Sequence, residues 1–107
     1  MQGENNDVLA ALPTELQLGI KAVDTPDVQQ MIKALAKYNL GVYLPHIHPE
    51  TGGFNVLPMD MVAVETDNVV SFVKRSEVAQ ISNAIPVAWS WDEEKSVVSA
   101  RCNCHHR

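Results

Sequence analysis

Long apolar runs are missing from this chain; none approaches the ~20 consecutive residues that a helix needs to cross a bilayer. Basic stretches are equally scarce. Thirteen Asp and Glu stand against eight Lys and Arg, for a net charge of -5, and Lys74-Arg75 is the only adjacent basic pair. Clustered cations drive affinity for phosphate backbones and anionic lipid, so neither a nucleic acid nor a membrane surface is an expected partner. The five glycines form no phosphate-binding loop, since Gly52-Gly53 leads into neither a lysine nor a helix start. There are only two cysteines, Cys102 and Cys104, one residue apart. In an extended strand their Cα atoms would stand about 6.6 Å apart, at the far end of the disulfide range, so both are expected as free thiols. Residues 1–7 are polar and acidic, and the apolar run 8–12 is too short for a secretory leader. The expectation is a soluble, cytoplasmic domain in a reducing compartment.

What is present fits one small core. A length of 107 residues, 46% apolar and 20% charged, predicts a single domain over 1–107, with residues 1–12 as a flexible N-terminal arm. Leu12, Leu16, Leu18 and Ile20, around Pro13-Thr14-Glu15, suit either a short helix or an extended edge. The clearest element is a helix over about 26–38. Thr25 serves as N-cap, Pro26 occupies the first position, and Asp27 meets the positive end of the dipole. Val28, Met31, Ile32, Leu35 and Ala36 then recur at helical spacing on one face, and Gly41 is the expected stop.

After the helix the pattern turns extended. Residues 42–48 alternate, with Pro45 and Pro49 restricting them to an edge or a strand end. Two strands, 59–65 and 69–75, meet at Thr66-Asp67-Asn68, and residues 76–84 allow one or two helical turns. A second hairpin follows. Ile85, Val87, Trp89 and Trp91 alternate on one face, Asp92 to Lys95 form a charged turn, and Val98, Ala100, Cys102 and Cys104 line the return strand. The fold class expected is therefore α+β, with one amphipathic helix packed on a mainly antiparallel sheet of four to five strands.

All four histidines and both cysteines fall in two short clusters, His46-Ile47-His48 and Cys102-Asn103-Cys104-His105-His106. A strand puts His46 and His48 on one face, where two imidazoles can share an ion. Gly41 and Glu50 both stand too close to that pair to complete a cupin motif. Cys102 and Cys104 likewise project to one face, although structural zinc sites usually space their cysteines more widely. The bland reading of the first cluster is a solvated strand end. For the second it is an apolar stripe running into a frayed tail.

Taken together, the six residues His46, His48, Cys102, Cys104, His105 and His106 predict a transition-metal site. Zinc is the first choice for a mixed nitrogen and sulfur set and copper the second. Glu50, Asp60 and Glu65 are carboxylates that could act beside such an ion, and no residue stands out as catalytic. The competing expectation is a metal-free interaction module or small homo-oligomer that uses the apolar face with Trp89 and Trp91.

Overall fold

The computed structural model describes residues 10–105, so most of the expected arm, and His106, lie outside the described residues. The chain divides into two compact units, Met1–Val56 and Leu57–Arg107. It is mixed helix and strand, as the α+β expectation holds, but the helix count and the strand directions differ from it.

The first unit holds two helices and a minimal hairpin. Helix α1 (Thr14–Ala22) buries Leu16 while Leu18 stays 62% exposed. Leu16, Leu18 and Ile20 fit a period of two, whereas only Leu16 and Ile20 share a face at 3.6, and here the helical period wins. A Cβ on Gly19 would stand 2.7 Å from Leu44 Cδ1, so this glycine lets residues 42–45 pass close to the helix. Helix α2 (Pro26–Leu35) begins as the sequence predicts: Thr25 Oγ1 accepts from the Val28 N–H at 3.5 Å and also donates to the Ala22 carbonyl at 2.6 Å. It tightens into a 3-10 turn (Ala36–Tyr38) and ends two residues before Gly41, at Asn39 with φ 60°. Asparagine tolerates the left-handed conformation well enough to stop a helix. No residue of α2 is fully buried; Val28, Ile32 and Leu35 are half-buried and Met31 is exposed. Strands β1 (His46–Ile47) and β2 (Asn55–Val56) pair antiparallel over two residues each, which is what Pro45 and Pro49 leave available.

The second unit is a four-stranded sheet in the order β4-β3-β6-β5. Strands β3 (Met61–Thr66) and β4 (Val69–Lys74) form the first expected hairpin, with Asp67 and Asn68 at φ 49° and 70° as its two-residue turn. Both positive φ values belong to the tight turn whose twist matches the strands. Placing valine at position 68 therefore costs about 1–2 kcal/mol, the left-handed penalty for a branched side chain. Urea unfolding followed by tryptophan fluorescence, which reads Trp89 and Trp91, would measure it.

The short helix α3 (Arg75–Val78) then leads to β5 (Ala84–Asp92) and β6 (Val97–His105), the second hairpin. Its turn is closed by Asp92, whose Oδ1 accepts from the Lys95 N–H at 3.1 Å. The sheet is mixed rather than antiparallel because β6, not β5, lies beside β3, and that pair runs parallel. Pro86 explains the choice: it lacks an N–H for a second ladder, so β5 belongs at the edge and β6 inside. Val62, Ala63 and Val64 are accordingly buried on β3, while edge strand β4 exposes Val69 and Val70.

Two bulges reset the second hairpin. Val87 has no partner between Pro86↔Asn103 and Ala88↔Cys102, and Arg101 has none between Ala88↔Cys102 and Trp89↔Ala100. Ala88 and Trp89 point to opposite faces, so their partners Cys102 and Ala100 do too. The expected single stripe from Val98 to Cys104 is therefore divided. Trp89, Trp91, Val98 and Ala100 share one face, and Ala88, Cys102 and Cys104 the other. Arg101 itself is buried, 1% exposed, and its guanidinium donates to the carbonyls of Leu57 (2.6 Å), Pro58 (3.1 Å) and Met59 (2.9 Å).

Candidate functional site

The predicted ligands gather as two pairs, one in each unit. In the first unit the His46 and His48 rings lie edge to face, with centroids 4.9 Å apart and planes at 87°. Phe54, just before β2, packs on both, at 4.7 Å from His48 and 5.8 Å from His46. His46 Nδ1 lies 2.6 Å from the Leu44 carbonyl and His48 Nδ1 lies 3.3 Å from the Gly53 carbonyl. A carbonyl can only accept, so each Nδ1 carries a proton, and the neutral form of a ring held this way has its lone pair on Nε2. That is the tautomer a metal-ligating histidine uses, fixed by the same kind of backbone bond. The bland role is also visible: the three rings close the 48–54 loop as a small aromatic cluster.

In the second unit Cys102 and Cys104 stand on one face of β6, and the parallel partner strand brings Ala63 beside Cys102 and Glu65 beside Cys104. The Cys102 thiol faces Glu65 Oε1 at 3.9 Å and the Cys104 thiol faces Oε2 at 3.6 Å. Both cysteines are free; Cys102 is buried and Cys104 half-buried. Burial, the Glu65 charge, Cys104 and the bond to Glu65 push the Cys102 thiol from an ordinary 9.0 up to about 11. Burial and Glu65 raise the Cys104 thiol as well. Both groups are thus protonated, hydrogen-bonded thiols at neutral pH, poor nucleophiles and poor redox partners in that state.

That shift has a definite sign. The unfolded Cys102 thiol ionises near 9.0 and the folded one near 11, so the folded state gains its full advantage below pH 9 and loses it as pH rises from 9 to 11. Alkylation by iodoacetamide follows the thiolate: slow at pH 7 and rising steeply above pH 9. Glu65→Gln removes the repelling charge and should speed alkylation at pH 8, read by peptide mass spectrometry; an unchanged rate would contradict the role given to Glu65.

The remaining candidates separate from these pairs. His105 pairs with Ala84, and alternation along β6 puts it on the face opposite Cys104. Glu50 is an exposed loop residue. Among the described residues, no group of three or more His, Cys, Asp or Glu side chains is arranged to hold a metal ion. A cleft of about 490 Å³ in the second unit involves none of the predicted ligands. Its walls oppose Lys74, Arg75 and Lys95 to Asp60, Asp92 and Glu94, a balance that favours neither an anion nor a cation. Among the described residues, no helix is long and apolar enough to cross a membrane. No family model, no curated protein and no solved structure matches the chain.

Proposed function

We propose that this chain is a small metal-binding domain that draws its ligands from the histidine and cysteine clusters, with zinc the first candidate ion and copper the second. The observation that carries this reading is that two thiols on one face of β6 both meet the Glu65 carboxylate, Cys102 at Oε1 (3.9 Å) and Cys104 at Oε2 (3.6 Å). Two sulfurs on one face of one strand can share an ion once their protons leave. The tautomer held at His46 and His48 supports them as a second source of donors. A cytoplasmic, reducing setting suits free thiols, and the net charge of -5 gives no attraction to nucleic acid or anionic lipid.

The test is metal content. Untagged protein purified without chelator, then incubated with zinc or with Cu(I) under reducing conditions, is expected to retain about one ion per chain by inductively coupled plasma mass spectrometry. Cys102→Ser and His46→Ala variants identify the ligands. A metal-free wild type after both incubations would overturn the reading.

A second reading, a protein-interaction module or small homo-oligomer, is favoured by one specific observation. Trp89, Trp91 and Val98 share a face of the second hairpin and are 43%, 51% and 66% exposed. Clustered apolar groups left in water mark partner sites. Under this reading light scattering on concentrated protein shows association that Trp91→Ser reduces; a monomer at every concentration would leave self-association without support.

A further inference from the structure

We infer that Cys102 and Cys104 form a two-sulfur site for a thiophilic monovalent ion of the Cu(I) class, complete within the second unit. This rests on the metal-binding reading and narrows it. The reasoning begins with ligand number. Zinc seeks four donors in a tetrahedron, whereas a soft monovalent d10 ion is satisfied by two thiolates. On this face of the sheet the sulfurs supply two donors, and His105, next in sequence, is turned to the other face. Glu65, the carboxylate beside both thiols, is a hard oxygen donor that a soft ion does not require, and among the described residues no group of three or more His, Cys, Asp or Glu is arranged to hold a metal. A two-donor ion is the class that such a set fits.

Geometry and burial point the same way. Cys102 is buried against Ala63 and Ala88, its partners on the two neighbouring strands, which are buried as well. Small flanking side chains leave the sulfur of Cys102 in an apolar setting that suits a covalent, weakly hydrated metal–sulfur bond over a hard, hydrated ion. Cys104 is half-buried and forms the open side. Glu65 meets both thiols, Cys102 through Oε1 and Cys104 through Oε2, so the two sulfurs border one side chain on one face of the sheet. Binding exchanges two S–H bonds for two metal–sulfur bonds: one monovalent cation enters, two protons leave to water, and neither sulfur nor metal changes oxidation state.

The experiment is an anaerobic competition for Cu(I) between the full chain and bicinchoninate, with native mass spectrometry for stoichiometry. The expected result is one Cu(I) per chain, gained with loss of two protons. Cys104→Ser is expected to weaken binding by about 100-fold or more, because one thiolate cannot satisfy a two-coordinate ion. Wild-type protein alkylated at both thiols provides the same comparison without a substitution in the fold. The His46→Ala/His48→Ala variant should bind Cu(I) as the wild type does, and excess zinc should not displace it. Loss of binding in the histidine variant, or displacement by zinc, would overturn this inference while leaving the broader metal-binding reading standing. Cu(I) binding that survives both Cys104→Ser and alkylation would overturn it too. Failure of wild type to bind either ion would remove the metal-binding reading along with it.

Discussion

Replacing Arg101 with leucine should lower the stability of the second unit by about 4 kcal/mol, a large part of the 5–15 kcal/mol typical of a small domain. The side chain is 1% exposed and donates to three successive carbonyls, those of Leu57, Pro58 and Met59. Leucine fills much of the volume but leaves the Leu57 and Pro58 carbonyls without this donor. Met59 retains the second bond it accepts, from Arg75 at 2.7 Å. Because Arg101 is also the bulge residue of β6, losing its anchor frees the hairpin to slip into unbulged register, which would turn Cys102 to the other face. Arg101→Lys restores the charge but not the planar fork, so it should recover less than half of the loss. Urea titration read by tryptophan fluorescence measures both variants, and an Arg101→Leu protein of unchanged midpoint would contradict the anchoring role.

Leu57→Ala is expected to cost about 3 kcal/mol on the same assay, the usual penalty for truncating a buried leucine. Leu57 is 2% exposed, and its carbonyl is the shortest partner of Arg101. The two substitutions act on one segment, so the double variant should lose less than the sum of the singles. Simple additivity would mean that residues 57–59 are held by something other than the arginine.

Helix α2 was legible because every local signal agreed: the Thr25 cap, Pro26, and an apolar spacing from Val28 to Ala36 that only a helix satisfies. A turn at Thr66-Asp67-Asn68 was legible too, since Asp67 and Asn68 tolerate the conformation the turn imposes, although Thr66 proves to be the last residue of β3. Helix α1 was not, because Leu16, Leu18 and Ile20 suit an extended edge while Leu16 and Ile20 alone suit a helix, and burial of Leu16 with exposure of Leu18 separates the two. The bulges were beyond reach, since Arg101 takes its place from carbonyls more than forty residues away. That non-local bond broke an alternation which, read from the sequence, put Val98 and Cys104 on one face.

The candidate site divides along the same line. Strand periodicity put Cys102 and Cys104 on one face of β6; His46 and His48 also lie together, but His48 is beyond the end of β1 and is placed by the 48–54 loop. Glu65 could be named only as one carboxylate among several, because its place beside both thiols depends on the parallel pairing of β3 with β6. That pairing in turn depends on which strand of the second hairpin lies inside. Pro86 holds the clue, but its weight is evident only once the sheet has four strands to order.

The central claim, that Cys102 and Cys104 hold the metal, is tested most directly by X-ray absorption on the Cu(I)-loaded full chain at the copper edge. The account predicts a first shell of two sulfur scatterers per ion and no imidazole signature. A shell of nitrogen or oxygen neighbours without sulfur would contradict it and move the site to His46 and His48.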